Sequence, residues 1–262
     1  MSAARGPIAL LHGATSSSKA WNTVLPTLNR RYDVFVPTLA GHLGGPELTV
    51  APRHIVDGIV DSMCRQLDDA GIHAAHLVGN SLGGWVALEL ARRGRARSVV
   101  ALSPAGAWNT RRDLNRLLRL FRLGAAGARH TDKTRALVKY AATRRMMLRL
   151  MAEHGDRLTL DQVDAVFDDM AGCAVLTDLL AGARERGPIM RFDRLECPVR
   201  IAWGMRDRML PFMRYGAPMV SAVPGAELVF MPNVGHVPMI DDPHLVSRVI
   251  QEFVDSVPAG SG

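Results

Sequence analysis

The chain has 262 residues, of which 48% are hydrophobic and 5% aromatic, and its formal net charge is +7. This length suits one large α/β domain, and no apolar run approaches the roughly 18 residues that a membrane span needs. Three widely spaced cysteines, Cys64, Cys173 and Cys197, show no metal-binding or redox spacing, which indicates free thiols in a reducing cytoplasm.

Short apolar segments alternate with helical patterns along most of the chain. The run 7–13 ("PIALLHG") predicts a buried strand rather than a signal peptide, because it leads directly into a His-Gly turn. The other predicted elements are a helix at 20–32, a strand and loop at 33–42, a helix at 54–71, a strand at 74–80, a helix at 82–94, strands at 98–104, 199–204 and 226–232, and a helix at 243–257 capped by Asp242. This alternation predicts a parallel sheet covered by helices on both faces.

The pattern changes after the fourth strand, where a long stretch has helical periodicity and no convincing strand. We predict a helical cap at 106–190, inserted into a core formed by 1–105 and 191–262. Residues 111–149 hold twelve Arg or Lys and two Asp, interleaved with Leu, Met and Ala. This spacing favours amphipathic helices with solvated arginine faces over a nucleic-acid surface, and attraction of anionic substrates or membrane headgroups stays an alternative.

Residues 79–83 read G-N-S-L-G, directly after a predicted strand and before a predicted helix. In a G-x-S-x-G pattern the serine lies on a tight bend, and the two glycines let the strand and the helix approach each other. Ser81 is therefore the candidate nucleophile. A nucleotide-binding turn is disfavoured because neither G-x-G-x-x-G nor G-x-x-x-x-G-K-[ST] is present.

A serine hydroxyl is a weak nucleophile unless a base takes its proton, and the base needs a third group to orient it. Asp207 follows one predicted strand by three residues, and His236 lies in the loop after the next strand. The order Ser, Asp, His is the one expected for this strand–helix architecture. These two residues are the candidate base and its orienting carboxylate.

A second turn follows the first strand, at "HGATSS". It would direct the backbone amide of Ala14 toward the same site as the amide of Leu82, which begins the helix after Ser81. Two such donors would stabilise the negative charge that develops on a substrate oxygen in the transition state. We interpret His12 as a structural residue below this turn and expect Ser17 and its neighbours to cap the following helix.

The motifs "HGATSS", "GNSLGG", "GMRDRMLP" and "VGHVPMIDDP" resemble those of the α/β-hydrolase superfamily in identity, order and spacing. The resemblance implies a Ser-Asp-His triad of Ser81, Asp207 and His236, with the amides of Ala14 and Leu82 as the oxyanion hole. It also implies a mobile helical cap over the acyl pocket and no metal or organic cofactor. Related epoxide hydrolases and haloalkane dehalogenases carry aspartate where Ser81 stands, which disfavours those activities.

The sequence departs from the family pattern at two places. Family members usually begin with two antiparallel strands, for which there is no room before residue 7, so we predict about six parallel strands with the strand near 33–37 at an open edge. Such an edge can pair with another chain, so both a monomer and a homodimer are compatible with it. The loop 37–47 is also unusual, and we interpret its His42 as a loop residue rather than a second base.

The predicted activity is hydrolysis of a carboxylic ester with a small hydrophobic acyl group. Methionine adapts to irregular apolar shapes, so cap methionines fit either a pocket or the packing of the cap. The candidate pocket residues are Trp108, Met146, Met147, Met170 and Met209.

Thioesterase, lactonase and C–C bond hydrolase activities use the same machinery and stay open. The absence of a "GPG" segment near the first turn disfavours the C–C bond hydrolase. A non-catalytic ligand-binding member of the fold and a nucleic-acid-binding protein are alternatives from other classes. The complete set of serine, aspartate and histidine favours an enzyme that acts on a small molecule.

Overall fold

The computed structural model describes residues 6–128, 136–193 and 195–258, and within them it contains one six-stranded sheet. The strands are β1 (Ile8–Leu11), β2 (Val34–Phe35), β3 (Ala75–Asn80), β4 (Ala96–Leu102), β5 (Val199–Gly204) and β6 (Glu227–Met231). Their order is β2-β1-β3-β4-β5-β6, and every pairing is parallel. The predicted parallel sheet of six strands is confirmed. The edge strand β2 is only two residues long.

Helices cover both faces of this sheet. In chain order they are α1 (Leu25–Leu28), α2 (Ile55–Asp69), α3 (Leu82–Arg92), α4 (Arg111–Ala128), α5 (Ala141–Met147), α6 (Leu160–Ala171), α7 (Leu176–Arg186), α8 (Phe212–Ala222), α9 (Pro238–Asp241) and α10 (Pro243–Ser256). As expected, the side chain of Asp242 caps α10 by accepting a hydrogen bond of 2.8 Å from the backbone N–H of Leu245. Among the described helices, none has both the length and the apolar character needed to cross a bilayer.

The two faces of the sheet form two separate apolar clusters. Successive residues of a strand point to opposite faces, so Ala9 and Leu11 pack on one side with α2, α3 and α8. Ile8 and Leu10 pack on the other side with α1 and α10. Because both faces are buried, the central strands consist almost entirely of apolar residues, as the sequence pattern indicated.

The single helix predicted at 20–32 is wrong. A 3-10 turn at Ser18–Trp21 is followed by a separate one-turn helix, α1, with Pro26 in its first turn. Proline lacks an N–H donor, and its ring clashes with the carbonyl four residues earlier, so a continuous helix cannot run through this position.

The helices α4 to α7 lie between β4 and β5, and the described residues of this insertion include no strand. The insertion has an apolar cluster of its own, made of Val138, Leu148, Leu158, Val163 and Phe167. Its last helix, α7, rests on the main core, with Cys173 and Val175 just before it packed into the larger cluster. The cap boundaries at 106 and 190 stay a prediction.

The expectation of solvated arginine faces holds for only part of the basic segment. Arg116 donates hydrogen bonds of 2.8 and 3.0 Å to the carbonyls of Arg208 and Met209, beside the candidate Asp207. Arg144 donates to three backbone carbonyls within the insertion. Arg111, Arg112, Arg119 and Arg122 are exposed.

A buried histidine on β3 makes the stability of the fold depend on pH. The Nδ1 atom of His76 lies 2.8 Å from the hydroxyl of Ser98. Burial, together with the positive charge of Arg97, lowers the pKa of His76 to about 4 from the usual 6.5. Between these two values the unfolded chain binds more protons than the folded chain, so acid favours unfolding.

We therefore expect the His76→Gln variant to lose part of this acid sensitivity. Its free energy of unfolding should fall less steeply between pH 6.5 and 4 than that of the wild type, by up to about 1.4 kcal/mol per pH unit. Urea unfolding at several pH values measures the slope. His244→Gln, at an exposed histidine, is the matched control, and equal slopes in all three proteins would contradict the prediction.

Candidate active site

Ser81 lies on the sharp turn between β3 and α3, with φ 55° and ψ −114°. A residue other than glycine in this region carries strain of roughly 1–3 kcal/mol, which the surrounding structure must offset. The backbone N–H of Ser81 donates to the carbonyl of Leu102 at 3.0 Å, and its carbonyl accepts from Trp85 and Ala105 at 3.1 and 2.9 Å. Both backbone groups are therefore fixed, and the hydroxyl projects at the carboxyl end of the sheet.

The glycines of the motif allow direct contact between backbones. A Cβ atom at Gly79 would overlap the carbonyl group of Gly83, and a Cβ at Gly83 would overlap the carbonyl of Leu11. The start of α3 thus touches the ends of both β3 and β1. This contact leaves no room for any side chain at the two glycine positions.

Asp207 and His236 come together at the ends of β5 and β6. The Oδ2 atom of Asp207 lies 2.8 Å from Nδ1 of His236, and its Oδ1 accepts from the backbone N–H of Leu210 at 2.7 Å. A carboxylate can only accept, so the neutral imidazole carries its proton on Nδ1 and keeps a lone pair on Nε2. The two side chains are 0% and 5% exposed.

The side chain of Asn80 holds the loop that carries His236. Its side-chain amide donates to the carbonyl of His236 at 2.9 Å and to the carbonyl of Leu102 at 3.1 Å. The residue before Ser81 therefore joins the Ser81 turn to the histidine loop.

The carboxylate of Asp241, a residue that is 2% exposed, holds the same loop. Its carboxylate accepts hydrogen bonds from the backbone N–H groups of Gly235, Glu153 and His154, at 2.6, 3.0 and 2.7 Å. Glu153 and His154 belong to the insertion, so one carboxylate joins the insertion to the histidine loop.

The turn after β1 is supported by a buried histidine pair. His12 accepts from the N–H of Leu39 through Nε2 at 2.9 Å, and its Nδ1 lies 2.8 Å from the carbonyl of Gly13. Burial, and then the neighbouring His42, lowers the pKa of His12 to about 3, so the ring stays neutral. One of its nitrogens contacts the turn after β1, and the other contacts the loop after β2 at Leu39. His42 is also buried, with its ring centroid 5.0 Å from that of His12.

The backbone N–H groups of Ala14 and Leu82 are the two donors predicted for the oxyanion hole. Gly13, just before Ala14, has its Cβ position 3.3 Å from the Cβ of Ser81. Within the part of the chain that the structure describes, neither amide donates a hydrogen bond. Both predicted donors are thus available, and Leu82 directly follows Ser81 in the chain.

A cavity of about 650 Å³ lies at this end of the sheet. Ser81, His236 and Ala14 line it. Within the described residues, the side-chain hydrogen bond of His236 goes to Asp207 and not to Ser81. The wall is mostly apolar and comes from both the core and the insertion, including Phe121, Leu148, Phe167 and Leu176. The described residues include no group of three or more His, Cys, Asp or Glu side chains that could bind a metal ion.

Three of the five candidate pocket residues, Met147, Met170 and Met209, line this cavity. Met146 does not, and its side chain is 69% exposed, because neighbouring residues of a helix point about 100° apart. Trp108 does not either, since it packs against the main core after β4.

The model of the alpha/beta hydrolase family matches residues 8–249. The chain belongs to the alpha/beta hydrolase family. Its members include enzymes of several hydrolytic activities, and the fold described above is theirs.

Several relatives of this alpha/beta hydrolase carry names that specify an activity. Epoxide hydrolase EphH from Mycobacterium tuberculosis is 32% identical over 201 residues, which cover 75% of this chain and 94% of that protein. A pimeloyl-acyl-carrier-protein methyl ester esterase from Neisseria meningitidis serogroup A is 26% identical over 257 residues, covering 95% and 76%. Among solved structures, 2-hydroxy-6-oxo-6-phenylhexa-2,4-dienoate hydrolase from Rhodococcus sp. strain RHA1 matches with a TM-score of 0.75 at 22% identity, covering 96% and 91%.

Sequence reasoning missed three polar residues of this alpha/beta hydrolase: Asn80, Asp241 and Asp169. Asn80 occupies a variable position of the G-x-S-x-G motif, and its partner carbonyl lies 156 residues away. Asp241 and Asp169 each belong to a pair of consecutive aspartates, Asp241–Asp242 and Asp168–Asp169. Among these four residues only Asp242 had a signal in the sequence, namely the following proline, which indicates a helix cap. Nothing in the sequence tells which aspartate of such a pair is buried, and Asp241 and Asp169 are the buried ones.

The contact at Gly83 generates the first test of this site. We expect Gly83→Ala to fail to fold, because the new methyl group would overlap the backbone of β1. Gly124→Ala is the matched control: it also lies in a helix, its nearest neighbour is Met170 at 3.9 Å, and it should gain up to about 1 kcal/mol from the helix propensity of alanine. Thermal unfolding followed by circular dichroism compares the two, and a wild-type melting temperature in Gly83→Ala would contradict the argument.

A second test concerns the carboxylate of Asp241. Asp241→Asn leaves one amide oxygen for three N–H donors, so we expect a loss of about 2–4 kcal/mol in the free energy of unfolding, since each hydrogen bond to a charged group contributes about 1.5–3 kcal/mol. The control is Asp242→Asn, which removes one negative charge at the adjacent residue. Asparagine caps a helix as well as aspartate does, so the cap of α10 is kept. Urea unfolding of both variants should separate them clearly, and equal stabilities would refute the special role of Asp241.

Proposed function

We propose that this protein is a serine hydrolase that cleaves carboxylic esters through a covalent acyl-enzyme. The observation that carries the proposal is the strained Ser81 on the same cavity wall as a His236 ring held by Asp207. Strain at a residue with a reactive side chain is retained where function requires it. In this proposal the insertion at 106–190 acts as the cap that encloses the substrate.

In the acylation step, Ser81 Oγ attacks the ester carbonyl carbon while Nε2 of His236 takes the hydroxyl proton. The substrate oxygen becomes negatively charged and accepts hydrogen bonds from the N–H groups of Ala14 and Leu82. His236 then gives the proton to the departing alkoxide, and the C–O bond breaks. Asp207 keeps the imidazole in the productive tautomer and stabilises its charged form.

Deacylation repeats these steps with water in place of Ser81. His236 takes a proton from the water, whose oxygen attacks the acyl carbon, and the same two amides receive the second oxyanion. Collapse of this intermediate returns the proton to Ser81 Oγ and releases the carboxylic acid. In enzymes of this kind the hydrogen bond between serine and histidine often tightens only in the complex with the substrate.

An ester is the preferred substrate because the cavity wall is mostly apolar and a named relative from Neisseria meningitidis is a methyl ester esterase. Thioesters and lactones present the same carbonyl to the same groups. A C–C bond hydrolase is the further candidate, because one structural neighbour acts on a phenylhexadienoate.

Epoxide opening is the candidate that the Mycobacterium tuberculosis relative raises. A serine that attacks an epoxide carbon would form an ether, which has no carbonyl for water to attack. A carboxylate nucleophile would instead form an ester that water can cleave. Ser81 therefore favours acyl transfer over epoxide turnover.

The test compares Ser81→Ala with the wild type on p-nitrophenyl esters, thioesters, lactones, a vinylogous diketone and epoxides. We expect Ser81→Ala to lose at least about 10³-fold in kcat on esters, since nothing else in the site can attack the carbonyl. Its circular dichroism spectrum should be unchanged. Ser221→Ala, at an exposed helical serine, is the control that should keep full activity.

A fluorophosphonate probe should label the wild type at Ser81, as read by mass spectrometry, and leave Ser81→Ala unlabelled. Full ester hydrolysis by Ser81→Ala would overturn the assignment. Turnover of epoxides alone by the wild type would replace it.

A further inference from the structure

The loop that carries Asp207 is held by an arginine of the insertion. This loop, residues 205–211, joins β5 to α8. The two terminal nitrogens of Arg116, on α4, donate hydrogen bonds of 2.8 and 3.0 Å to the carbonyls of Arg208 and Met209. Within the described parts of the chain, these two carbonyls accept no other hydrogen bond. One guanidinium therefore fixes two consecutive peptide groups just after Asp207.

The second of these peptide groups connects Arg116 to the carboxylate of Asp207. The carbonyl of Met209 and the N–H of Leu210 belong to the same peptide unit, which is planar, so that its oxygen and its hydrogen point in opposite directions. Arg116 binds the unit at its oxygen, and its N–H donates to Asp207 Oδ1 at 2.7 Å. A hydrogen bond at the oxygen also polarises the unit and strengthens its N–H as a donor. The guanidinium thus acts on the carboxylate through one rigid group.

The carboxylate passes this constraint to the histidine. Oδ2 of Asp207 lies 2.8 Å from Nδ1 of His236, and the two side chains are almost fully buried. Because the N–H of Leu210 fixes one carboxylate oxygen, the direction in which the other oxygen faces the ring is fixed as well. A continuous series of hydrogen bonds therefore runs from Arg116 to the imidazole.

Arg116 is itself supported by a buried contact between α4 and α8. One turn earlier on α4, the carbonyl of Asp113 accepts a hydrogen bond of 2.8 Å from the hydroxyl of Tyr215. The carboxylate of Asp113 accepts from Arg214, also at 2.8 Å. Asp113 and Tyr215 are 4% and 1% exposed. The first half of α4 is thus attached to the core, and the guanidinium acts from a fixed support.

We propose that Arg116 is a positioning residue for Asp207. The inference rests on the proposed function, because it gives the arginine a part in the reaction of Ser81 and His236. Arg116 does not line the cavity, so it acts through Asp207 and not on the substrate. Its part is to hold the carboxylate in the orientation that keeps the imidazole proton on Nδ1 and leaves Nε2 free to take the proton of the serine.

The same contact has a second possible role, in the wall of the cavity. Met209, whose carbonyl Arg116 binds, lines the cavity. If the arginine served only this wall, its loss would weaken substrate binding, which raises KM and leaves kcat unchanged. If it positions Asp207, its loss lowers kcat and leaves KM nearly unchanged. The two roles therefore predict different kinetic changes.

The first experiment measures p-nitrophenyl ester hydrolysis by Arg116→Met, which keeps an unbranched side chain but has no donor. We expect kcat to fall by about 10-fold to 100-fold, the range for a displaced catalytic group, with KM within about 3-fold of the wild type. Arg116→Lys keeps the charge but lacks the planar fork that reaches two carbonyls, so its kcat should lie between the two. Arg119→Met, on the exposed face of the same helix, is the matched control and should behave as the wild type.

A double-mutant cycle tests whether Arg116 acts through Asp207. In an Asp207→Ala background the carboxylate is gone, so Arg116→Met should lower kcat by no more than about 2-fold. The same fold loss in both backgrounds would mean that Arg116 acts independently of Asp207, which would overturn the proposal. A higher KM at unchanged kcat would overturn it in favour of the cavity wall.

The geometry can also be measured without turnover. The proton between His236 Nδ1 and Asp207 gives a proton NMR resonance, which its absence in Asp207→Ala assigns. We expect this resonance in the wild type and in Arg119→Met, and its shift or loss in Arg116→Met. An inactive wild type with this pattern would refute the serine hydrolase and keep the positioning role. An unchanged resonance in Arg116→Met would refute the positioning role, whether or not the wild type is active.

Discussion

The backbone contact between α3 and the strands β1 and β3 is the constraint on which the proposed chemistry depends. Gly79 and Gly83 have no side chains, so the helix starts directly against the strand ends. A larger residue at either position would move Ser81 away from the turn after β1. The backbone hydrogen bonds that hold the strained serine, from Ser81 N–H to the carbonyl of Leu102 and from the N–H groups of Trp85 and Ala105 to the carbonyl of Ser81, could then not all form.

The parallel sheet and the convergence of the motifs could be predicted from the sequence for one physical reason. Strands buried on both faces are continuous apolar runs, and parallel strands bring their carboxyl ends to the same edge. Residues just after such runs, among them Ser81, Asp207 and His236, must therefore lie near one another. Pro26 also signals the break in the helical pattern at 20–32, because proline lacks the N–H that a continuous helix needs.

The contacts between the insertion and the core could not be predicted in the same way. The partners Ser17 and Asp169 are 152 residues apart, and Asp241 reaches back 88 residues to Glu153. No periodicity or spacing in the sequence relates such positions. Their contacts depend on how the helices of the insertion are rotated and placed on the core. The exposed Met146 beside the cavity-lining Met147 reflects the same dependence on helix rotation.

Because of the hydrogen bonds of Asp241, one part of the insertion is joined directly to the histidine loop and the rest is not. Residues 151–157 are joined to the histidine loop through Asp241 and through a bond of 2.7 Å from Val237 N–H to the carbonyl of Met151. Separating them would break several hydrogen bonds at once and displace His236. In the proposed enzyme, any movement of the insertion that leaves His236 in place would therefore have to leave residues 151–157 in place as well.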